Sequence, residues 1–203
     1  METNSNRIGI KVIDLGLSSK WASCNLGANT PEESGVFFAW GEIEPKSVYG
    51  SDNYKWFAEG MTSKYGAEGD CANIDPDIQT ILDPADDVAH VRLGESWRMP
   101  SMKDIAELHE KCAWRWTRRK GVKGCLLTSK VEGFSDRSLF LPAAGCIYQT
   151  DRVNLGYVGY YWSSSIYKSN SKHAILTAFD SKILIKYLPN HRYAGMPIRP
   201  VCD

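Results

Sequence analysis

The clearest hydrophobic pattern in the chain predicts an amphipathic helix after residue 100. Ile105, Leu108 and Cys112 recur at i, i+3 and i+7, which places them on one helical face. Ser101 is a suitable N-cap, and Asp104 stands in the first turn, where a carboxylate favours a helix start. We expect this helix to end near residue 113.

A second, short helix is predicted at residues 30–33. Thr30 is a suitable cap, Pro31 fits the first helical position, and Glu33 completes a capping box. Gly35 follows closely, so the helix should be brief.

Short apolar runs between turn residues predict strands through the rest of the chain. The predicted strands are residues 9–15, 124–129, 138–141, 160–165, 173–179, 182–188 and 198–201. Asp180-Ser181 is the candidate turn of a hairpin that joins two of them. In the second arm of that hairpin, alternation places Ile183, Ile185 and Tyr187 on one face, but it does not indicate whether that face is core or solvent.

Residues 41–80 have little periodicity, and they combine turn residues with interspersed aromatic side chains. Tyr49, Tyr54, Trp56 and Phe57 predict a long, irregular insertion that aromatic residues anchor. A strand, a helix, this insertion, a second helix and then many short strands are typical of an α+β fold with antiparallel pairing. We find no linker or repeat, so we expect one domain over residues 1–203.

Composition and charge narrow the classes of function. Lys and Arg total 24, and Asp and Glu total 24, so no net charge favours nucleic acid or an anionic membrane. No run approaches the roughly 18 apolar residues of a membrane helix. The first six residues are polar and lack the apolar region of a signal peptide, so either the protein is not exported by that route or the chain begins after a removed signal.

Motifs of common enzymes are absent from the sequence. There is no glycine-rich dinucleotide fingerprint, no P-loop and no G-x-S-x-G nucleophile turn. The four histidines, at 90, 109, 173 and 191, are scattered. We therefore predict a protein that is not an enzyme and needs no cofactor, although distant residues could still assemble a site.

The six cysteines have no C-x-x-C spacing and no neighbouring histidine that would complete a zinc site. We interpret them as buried thiols, with one or two disulfides as the alternative. The acidic group Asp83, Asp86 and Asp87 resembles a calcium site only loosely. Helix capping, or an ion pair with Arg92 or Arg98, is the favoured interpretation, and no metal site is predicted.

A basic and aromatic segment begins at Trp114-Arg115-Trp116 and continues through Lys120. Such a segment could stack on bases or sugars. The favoured interpretation is a strand with the tryptophans packed inside and the arginines in water.

Six blocks together resemble the Fibrobacter succinogenes major paralogous domain family over nearly the whole chain. The blocks are VIDLGLSSKWA (12–22), FAWGE (38–42), WRMPS (97–101), LPAAG (141–145), GYYWSSS (159–165) and IRPV (198–201). The resemblance implies a C-type-lectin-like fold and, since relatives are often surface or secreted bacterial proteins, an extracellular or cell-surface location. Because this chain shows no signal peptide, a virion or cytoplasmic protein is the alternative.

The layout is also similar to that of formylglycine-generating enzymes, a variant of the same fold. That family uses two closely spaced cysteines near the C-terminal end, with copper. Here Cys146 and Cys202 are far apart in sequence, which counts against the enzymatic interpretation.

A third resemblance is to the variable proteins of diversity-generating retroelements, in which a segment near the C-terminus is hypervariable and binds a ligand. Residues 166–196 are similar to such a segment, and the resemblance implies a binding surface for a protein or glycan. The candidate ligand-binding residues are Tyr167, Asn170, His173, Ile175, Thr177, Asp180, Ile183, Ile185, Tyr187, Asn190, His191 and Tyr193. Tyrosine with small polar residues is typical of antibody paratopes, where rigid contact area is combined with adaptable hydrogen bonding. The alternative is a structural surface module in which residues 166–196 only close the sheet.

Overall fold

The computed structural model describes residues 10–58, 61–62, 64–65 and 81–203. In this part of the chain the fold consists of many short strands and two α-helices, α1 (Val88–Leu93) and α2 (Met102–Lys111). All strand pairs in these sheets are antiparallel. The predicted α+β class is therefore confirmed.

The strands are, in chain order, β1 (Val12–Ile13), β2 (Lys20–Ala22), β3 (Phe37–Phe38), β4 (Phe57–Ala58), β5 (Met61–Thr62), β6 (Trp97–Arg98), β7 (Cys112–Arg119), β8 (Val122–Ser129), β9 (Ser138–Pro142), β10 (Cys146–Tyr148), β11 (Asp151–Val153), β12 (Gly159–Ile166), β13 (His173–Phe179), β14 (Leu184–His191), β15 (Met196–Pro197) and β16 (Val201–Cys202). They form a four-stranded sheet in the order β1-β2-β16-β6, two three-stranded sheets, β7-β8-β9 and β12-β13-β14, and three pairs, β3-β15, β4-β5 and β10-β11. The first predicted strand is shorter than expected, and its Gly9 lies outside the described residues.

Helix α2 begins as the sequence predicts. The Ser101 hydroxyl accepts a hydrogen bond from the Asp104 amide at 3.3 Å, and the Asp104 carboxylate accepts one from the Ser101 amide at 2.7 Å. This reciprocal capping satisfies two amides that a helix start would otherwise leave unpaired. Ile105 and Leu108 are buried, and the helix ends at Lys111.

The acidic group Asp83, Asp86 and Asp87 serves capping and ion pairing. Asp87 is the N-cap of α1, and its carboxylate accepts hydrogen bonds from the amides of Ala89 at 2.9 Å and Met99 at 2.8 Å. Asp86 lies 2.6 Å from Lys64 Nζ and 3.3 Å from Lys55 Nζ. The capping interpretation is confirmed for Asp87, but the predicted ion pairs with Arg92 or Arg98 are wrong.

The predicted helix at residues 30–33 is wrong, because this segment is a turn. The carboxylate of Glu33 does accept hydrogen bonds from the Asn29 amide at 2.8 Å and from the Thr30 hydroxyl at 3.2 Å. Gly35 then takes a positive φ of 71°, so the chain leaves the helical conformation before a second turn can form.

The β7-β8-β9 sheet explains the basic and aromatic segment. Trp114 and Trp116 are partly buried against a core that includes Leu127 and Phe179, whereas Arg115 is exposed. The interpretation of a strand with buried tryptophans and solvated arginines is confirmed.

Two aromatic residues anchor the described part of the irregular insertion. The Tyr49 hydroxyl donates to the carbonyl of Phe37, and the Tyr54 hydroxyl donates to that of Trp40, both at 2.6 Å. Both tyrosines are buried, which supports the expected anchoring. Residues 66–80 of the insertion lie outside the described residues.

Five of the six cysteines lie within the described residues, and all five are buried free thiols. Burial raises the pKa of Cys112 and Cys146 to about 11 and that of Cys125 to about 12. These thiols behave as small apolar side chains, as predicted. Cys71 lies outside the described residues.

Candidate binding surface

The twelve candidate residues divide into three groups along the β12-β13-β14 sheet. Six of them meet at one end of the sheet, where the loop at residues 167–172 joins β12 to β13 and where β14 ends. We call this group the sheet-end surface, and it consists of Tyr167, Asn170, His173, Asn190, His191 and Tyr193. His191 is exposed, and the other five are half-buried.

A row of three rings forms the centre of the sheet-end surface. His173 and His191 are directly opposite each other on β13 and β14, and their ring centroids are 4.5 Å apart. His191 stacks on Tyr193 with a centroid distance of 5.0 Å and an interplanar angle of 13°. Each ring therefore limits the orientations that the neighbouring ring can take.

Burial keeps His173, the less exposed histidine of this row, neutral. Burial, and then the neighbouring His191, lowers the pKa of His173 below its ordinary value. The Nδ1 atom of His173 is buried and makes no hydrogen bond. Burial opposes the charged form of this ring, so near neutral pH His173 presents an uncharged imidazole.

Tyr148 supports two residues of the sheet-end surface, Asn190 and Tyr193. Its hydroxyl donates a short hydrogen bond to the Asn190 side-chain oxygen, and its ring lies 6.4 Å from the Tyr193 ring. Burial raises the pKa of Tyr148 to about 12, so the hydroxyl remains a donor at any physiological pH.

A fully buried arginine, Arg192, holds the surface in place. Its guanidinium donates to the Tyr54 hydroxyl at 2.9 Å and to the carbonyls of Ser171 and Lys64, both at 3.0 Å. It also lies 4.7 Å from the Trp40 ring centroid. Because Ser171 belongs to the 167–172 loop, Arg192 ties that loop to the core. The burial of Arg192 could not be predicted from the sequence, since a lone arginine in a polar stretch carries no periodic signal of burial.

The 167–172 loop is ordered by its own hydrogen bonds. The Tyr167 amide donates to the His173 carbonyl, and the Asn170 amide donates to the Tyr167 carbonyl, both at 3.1 Å. The Asn170 side-chain oxygen accepts from the Lys172 amide at 3.0 Å. Tyr167 and Asn170 are thus held next to His173.

Three candidate residues point into the protein. Ile175 is 6% exposed and Thr177 is 3% exposed, and Ile185 packs against the largest core. Ile175 and Thr177 therefore offer almost no surface to a ligand, and Ile185 faces the core and not the sheet-end surface. The burial of the polar Thr177 side chain is compensated by hydrogen bonding. Its hydroxyl donates to the Ile185 carbonyl at 3.0 Å and contacts His109 Nε2 at 2.8 Å.

A bulge explains why Ile185 and Tyr187 do not share one face, whereas Ile183 lies in the turn before β14 begins. Ala178 pairs with Ile185, but Leu176 pairs with Leu188, so β14 has one residue more than β13 in this interval. An extra residue reverses the alternation that follows it. Ile185 and Leu188 therefore both turn toward the core, whereas Tyr187 is 38% exposed.

Of the last three candidates, Asp180 and Ile183 lie in the turn at the opposite end of β13, about 20 Å from His173 for a strand of this length. Tyr187 lies in the middle of β14, beside Leu188, which pairs with Leu176. Asp180 closes the hairpin turn, and its carboxylate accepts from the amides of Lys182 at 2.6 Å and Ile183 at 2.7 Å. The Tyr187 hydroxyl donates to the Met102 carbonyl at 3.3 Å, at the start of α2. Ile183 is 55% exposed but has no contact with the sheet-end surface among the described contacts.

The described residues do not bring together three or more His, Cys, Asp or Glu side chains in a metal-binding arrangement. Neither of the two described α-helices is long and apolar enough to cross a membrane.

Comparison with known proteins finds no matching family model, no matching curated protein and no matching solved structure. The sheet-end surface is therefore defined by the contacts of this chain alone.

Proposed function

We propose that this chain is a non-catalytic ligand-display module, and that its sheet-end surface binds a protein or glycan. The observation that carries the proposal is the row of His173, His191 and Tyr193 rings, which reaches solvent at the end of a hydrogen-bonded sheet. Rings have few rotatable bonds, so they lose little entropy when a ligand covers them.

Preorganisation supports the same proposal. Arg192 fixes both the chain that carries His191 and Tyr193 and the loop that carries Tyr167 and Asn170. A binding site whose residues are already held in position avoids part of the ordering cost of association. The imidazole, phenol and amide groups supply the hydrogen-bond donors and acceptors that glycans and protein surfaces require.

We also propose that the fold is C-type-lectin-like, in one domain. Each of the six family-like blocks supplies at least one residue that is no more than 2% exposed. These residues are Trp21, Trp40, Met99, Ala144, Trp162 and Ile198. Every block that resembles the family thus contributes to the core, and the sheet-end surface lies between two of them in the sequence.

A structural module without a ligand is the second candidate, and the burial of Ile175, Thr177 and Ile185 favours it. These three residues close the sheet whether or not a ligand exists. The two candidates differ only at the sheet-end surface, where a purely structural module needs no particular side chains.

The oxidase alternative has less support. Cys146 lies in β10 and Cys202 in β16, and burial raises the pKa of both thiols. A copper-binding cysteine pair requires thiolates, and burial opposes their formation here.

The test uses a printed glycan array and a phage-displayed peptide library as probes of the full chain. We expect at least one selected binder, and we expect Tyr167→Ser and His191→Ser each to weaken it about tenfold, the effect of losing one well-packed contact of about 1.4 kcal/mol. Tyr187→Ser is the matched control for Tyr167→Ser, because it removes the same side chain from the middle of β14, where the hydroxyl contacts the start of α2 and not the sheet-end surface. It should change the affinity less than about twofold.

Two results would contradict the proposal. One is the absence of any binder from both probes. The other is a binder whose affinity survives both surface substitutions while the melting temperature of each variant stays at the wild-type value.

A further inference from the structure

A cleft lies at the end of the β7-β8 hairpin, remote in sequence from the sheet-end surface. It has a volume of about 370 Å³, and its lining includes Arg118, Lys123, Pro142, Leu155 and Tyr157. That volume is near the lower end of the range for small-molecule sites, about 300–1,000 Å³. One sugar-sized ring is an appropriate occupant.

Two like charges face each other at the rim of this cleft. Arg118 and Lys123 are paired in register on β7 and β8, so their side chains project from the same face of the hairpin. Like charges directly opposite each other on neighbouring strands destabilise a sheet. An anion between them would remove the repulsion and would gain a charge-assisted hydrogen bond from each.

Within the described residues, neither of these two cations has a carboxylate partner. The ion pairs at this end of the hairpin are instead made by Arg119 and Lys120, both with Glu32. Arg119 Nε lies 2.8 Å from one Glu32 oxygen without hydrogen-bond geometry, and Lys120 Nζ lies 3.8 Å from the other oxygen. Glu32 is 6% exposed and serves these two neighbours. Arg118 and Lys123 remain available to an external anion.

An apolar wall stands beside the two charges. Tyr157 is 69% exposed and Leu155 is 51% exposed, and both line the cleft. Lys123 Nζ lies 4.9 Å from the centroid of the Tyr157 ring. Single exposed apolar side chains are ordinary on protein surfaces, but two beside an unneutralised cation pair in a concave site are typical of ligand recognition.

The cleft is held by rigid backbone on both sides. Lys120 and Gly121 have positive φ values of 45° and 84°, which closes the hairpin in a tight two-residue turn. On the other side, the Tyr157 amide donates to the Asn154 carbonyl at 3.0 Å, and the Gly156 amide donates to the Ala143 carbonyl at 2.8 Å. Binding therefore needs little rearrangement.

We infer that this cleft binds an anionic sugar, with the anionic group between Arg118 and Lys123 and the sugar ring against Tyr157 and Leu155. A sugar acid and a sugar phosphate share this chemistry. Arginine can bind either group with two parallel hydrogen bonds, whereas lysine contributes a point charge.

The test is a calorimetric titration of the full chain with three probes, which are glucuronic acid, glucose 6-phosphate and glucose. We expect at least one of the two anions to bind, and the tighter one to identify a carboxylate or a phosphate as the preferred group. Neutral glucose should bind at least about tenfold more weakly, because it cannot make the charge-assisted contacts.

Matched variants separate the cleft from general charge attraction. Arg118→Gln and Lys123→Gln should each weaken binding of the preferred anion about tenfold. Arg115→Gln removes the same charge from the opposite face of β7 and should leave the affinity unchanged. Arg118→Gln should also keep or slightly raise the melting temperature without ligand, since it relieves the repulsion with Lys123, whereas a purely structural arginine would lower it.

The inference is overturned if neither anion binds at about 10 mM, a concentration that would detect even millimolar affinity. It is also overturned if glucose binds as tightly as the anions, or if Arg115→Gln weakens binding as much as Arg118→Gln. These outcomes are independent of the sheet-end surface, because the two sets of variants have no residue in common.

Discussion

His109 connects helix α2 to the sheet that carries the sheet-end surface, and it should make the stability of the protein sensitive to acid. Its Nε2 atom lies 2.8 Å from the Thr177 hydroxyl oxygen, and its ring packs 4.7 Å from the Trp114 ring. The Thr177 hydroxyl has one proton and donates it to the Ile185 carbonyl. His109 Nε2 must therefore be the donor in this contact, and the neutral ring carries its proton there.

The sign of the pH effect follows from the depressed pKa. Burial, followed by the nearby Lys186, lowers the pKa of His109 from its ordinary value of 6.5 to about 4. Between these two values the unfolded chain binds a proton that the folded protein does not. The contribution of neutral His109 to the free energy of unfolding is therefore fully present above pH 6.5. It falls as the pH drops from 6.5 toward 4 and does not change further below that range.

The magnitude is moderate. A shift from 6.5 to about 4 corresponds to about 2.5 kcal/mol of lost stability at pH 4.5. Because the ring is only half-buried and solvent screens part of the effect, we reduce this to about 1.2 kcal/mol.

The assay is urea unfolding of the wild type and of His109→Gln at pH 7.5 and pH 4.5. Glutamine keeps an N–H donor for Thr177 but does not titrate. Between the two pH values the wild type should lose about 1.2 kcal/mol more than the variant, and other groups cancel in the difference. His90→Gln, in α1, serves as the control and should behave as the wild type does. Equal losses in the wild type and His109→Gln would show that burial of His109 does not raise the cost of its protonation.

Two further predictions concern the thiols and the pattern of natural variation. In native protein at pH 8, a thiol reagent should modify at most one of the six cysteines, Cys71, because the other five are buried, and all six should react in urea; rapid modification of two or more in native protein would contradict the burial. If the chain is a variable protein of a diversity-generating retroelement, sequencing the gene from related strains should show substitutions concentrated at the sheet-end surface. Ile175 and Thr177 should stay constant, and variation spread evenly along the chain would exclude that origin.

Sequence patterns predicted the elements whose signals are local. The start of α2 depends on Ser101 and Asp104, three residues apart, and β13 depends on an apolar run between turn residues. Both predictions are confirmed. The predicted helix at residue 30 had the same kind of local signal, but the left-handed backbone at Gly35 interrupts it after one turn.

The parts of the site that depend on contacts between distant residues could not be predicted. The bulge in β14 is a difference in residue count between two strands, so it becomes visible only when their pairing is known. It moves Ile185 from the face of Tyr187 to the core. Helix α1 was also missed, because it has only six residues and depends on Asp87, whose carboxylate reaches as far as the Met99 amide.

Arg192 shows how such a surface can vary while the fold remains intact. Along residues 191–194 the chain alternates between exposed or half-buried and buried positions, so the His191 ring points outward, the Tyr193 ring is half-buried and Arg192 points inward. The guanidinium is bound only by neutral oxygens, and burial lowers its pKa, so its position depends on the three hydrogen bonds to Tyr54, Ser171 and Lys64. None of those bonds involves a side chain of the sheet-end surface. Substitutions at 191 therefore alter what the surface presents without removing these three bonds, whereas Tyr193 also packs against Phe57 and the adjoining core. A side chain that can change without loss of its support is the physical condition that a display site must meet.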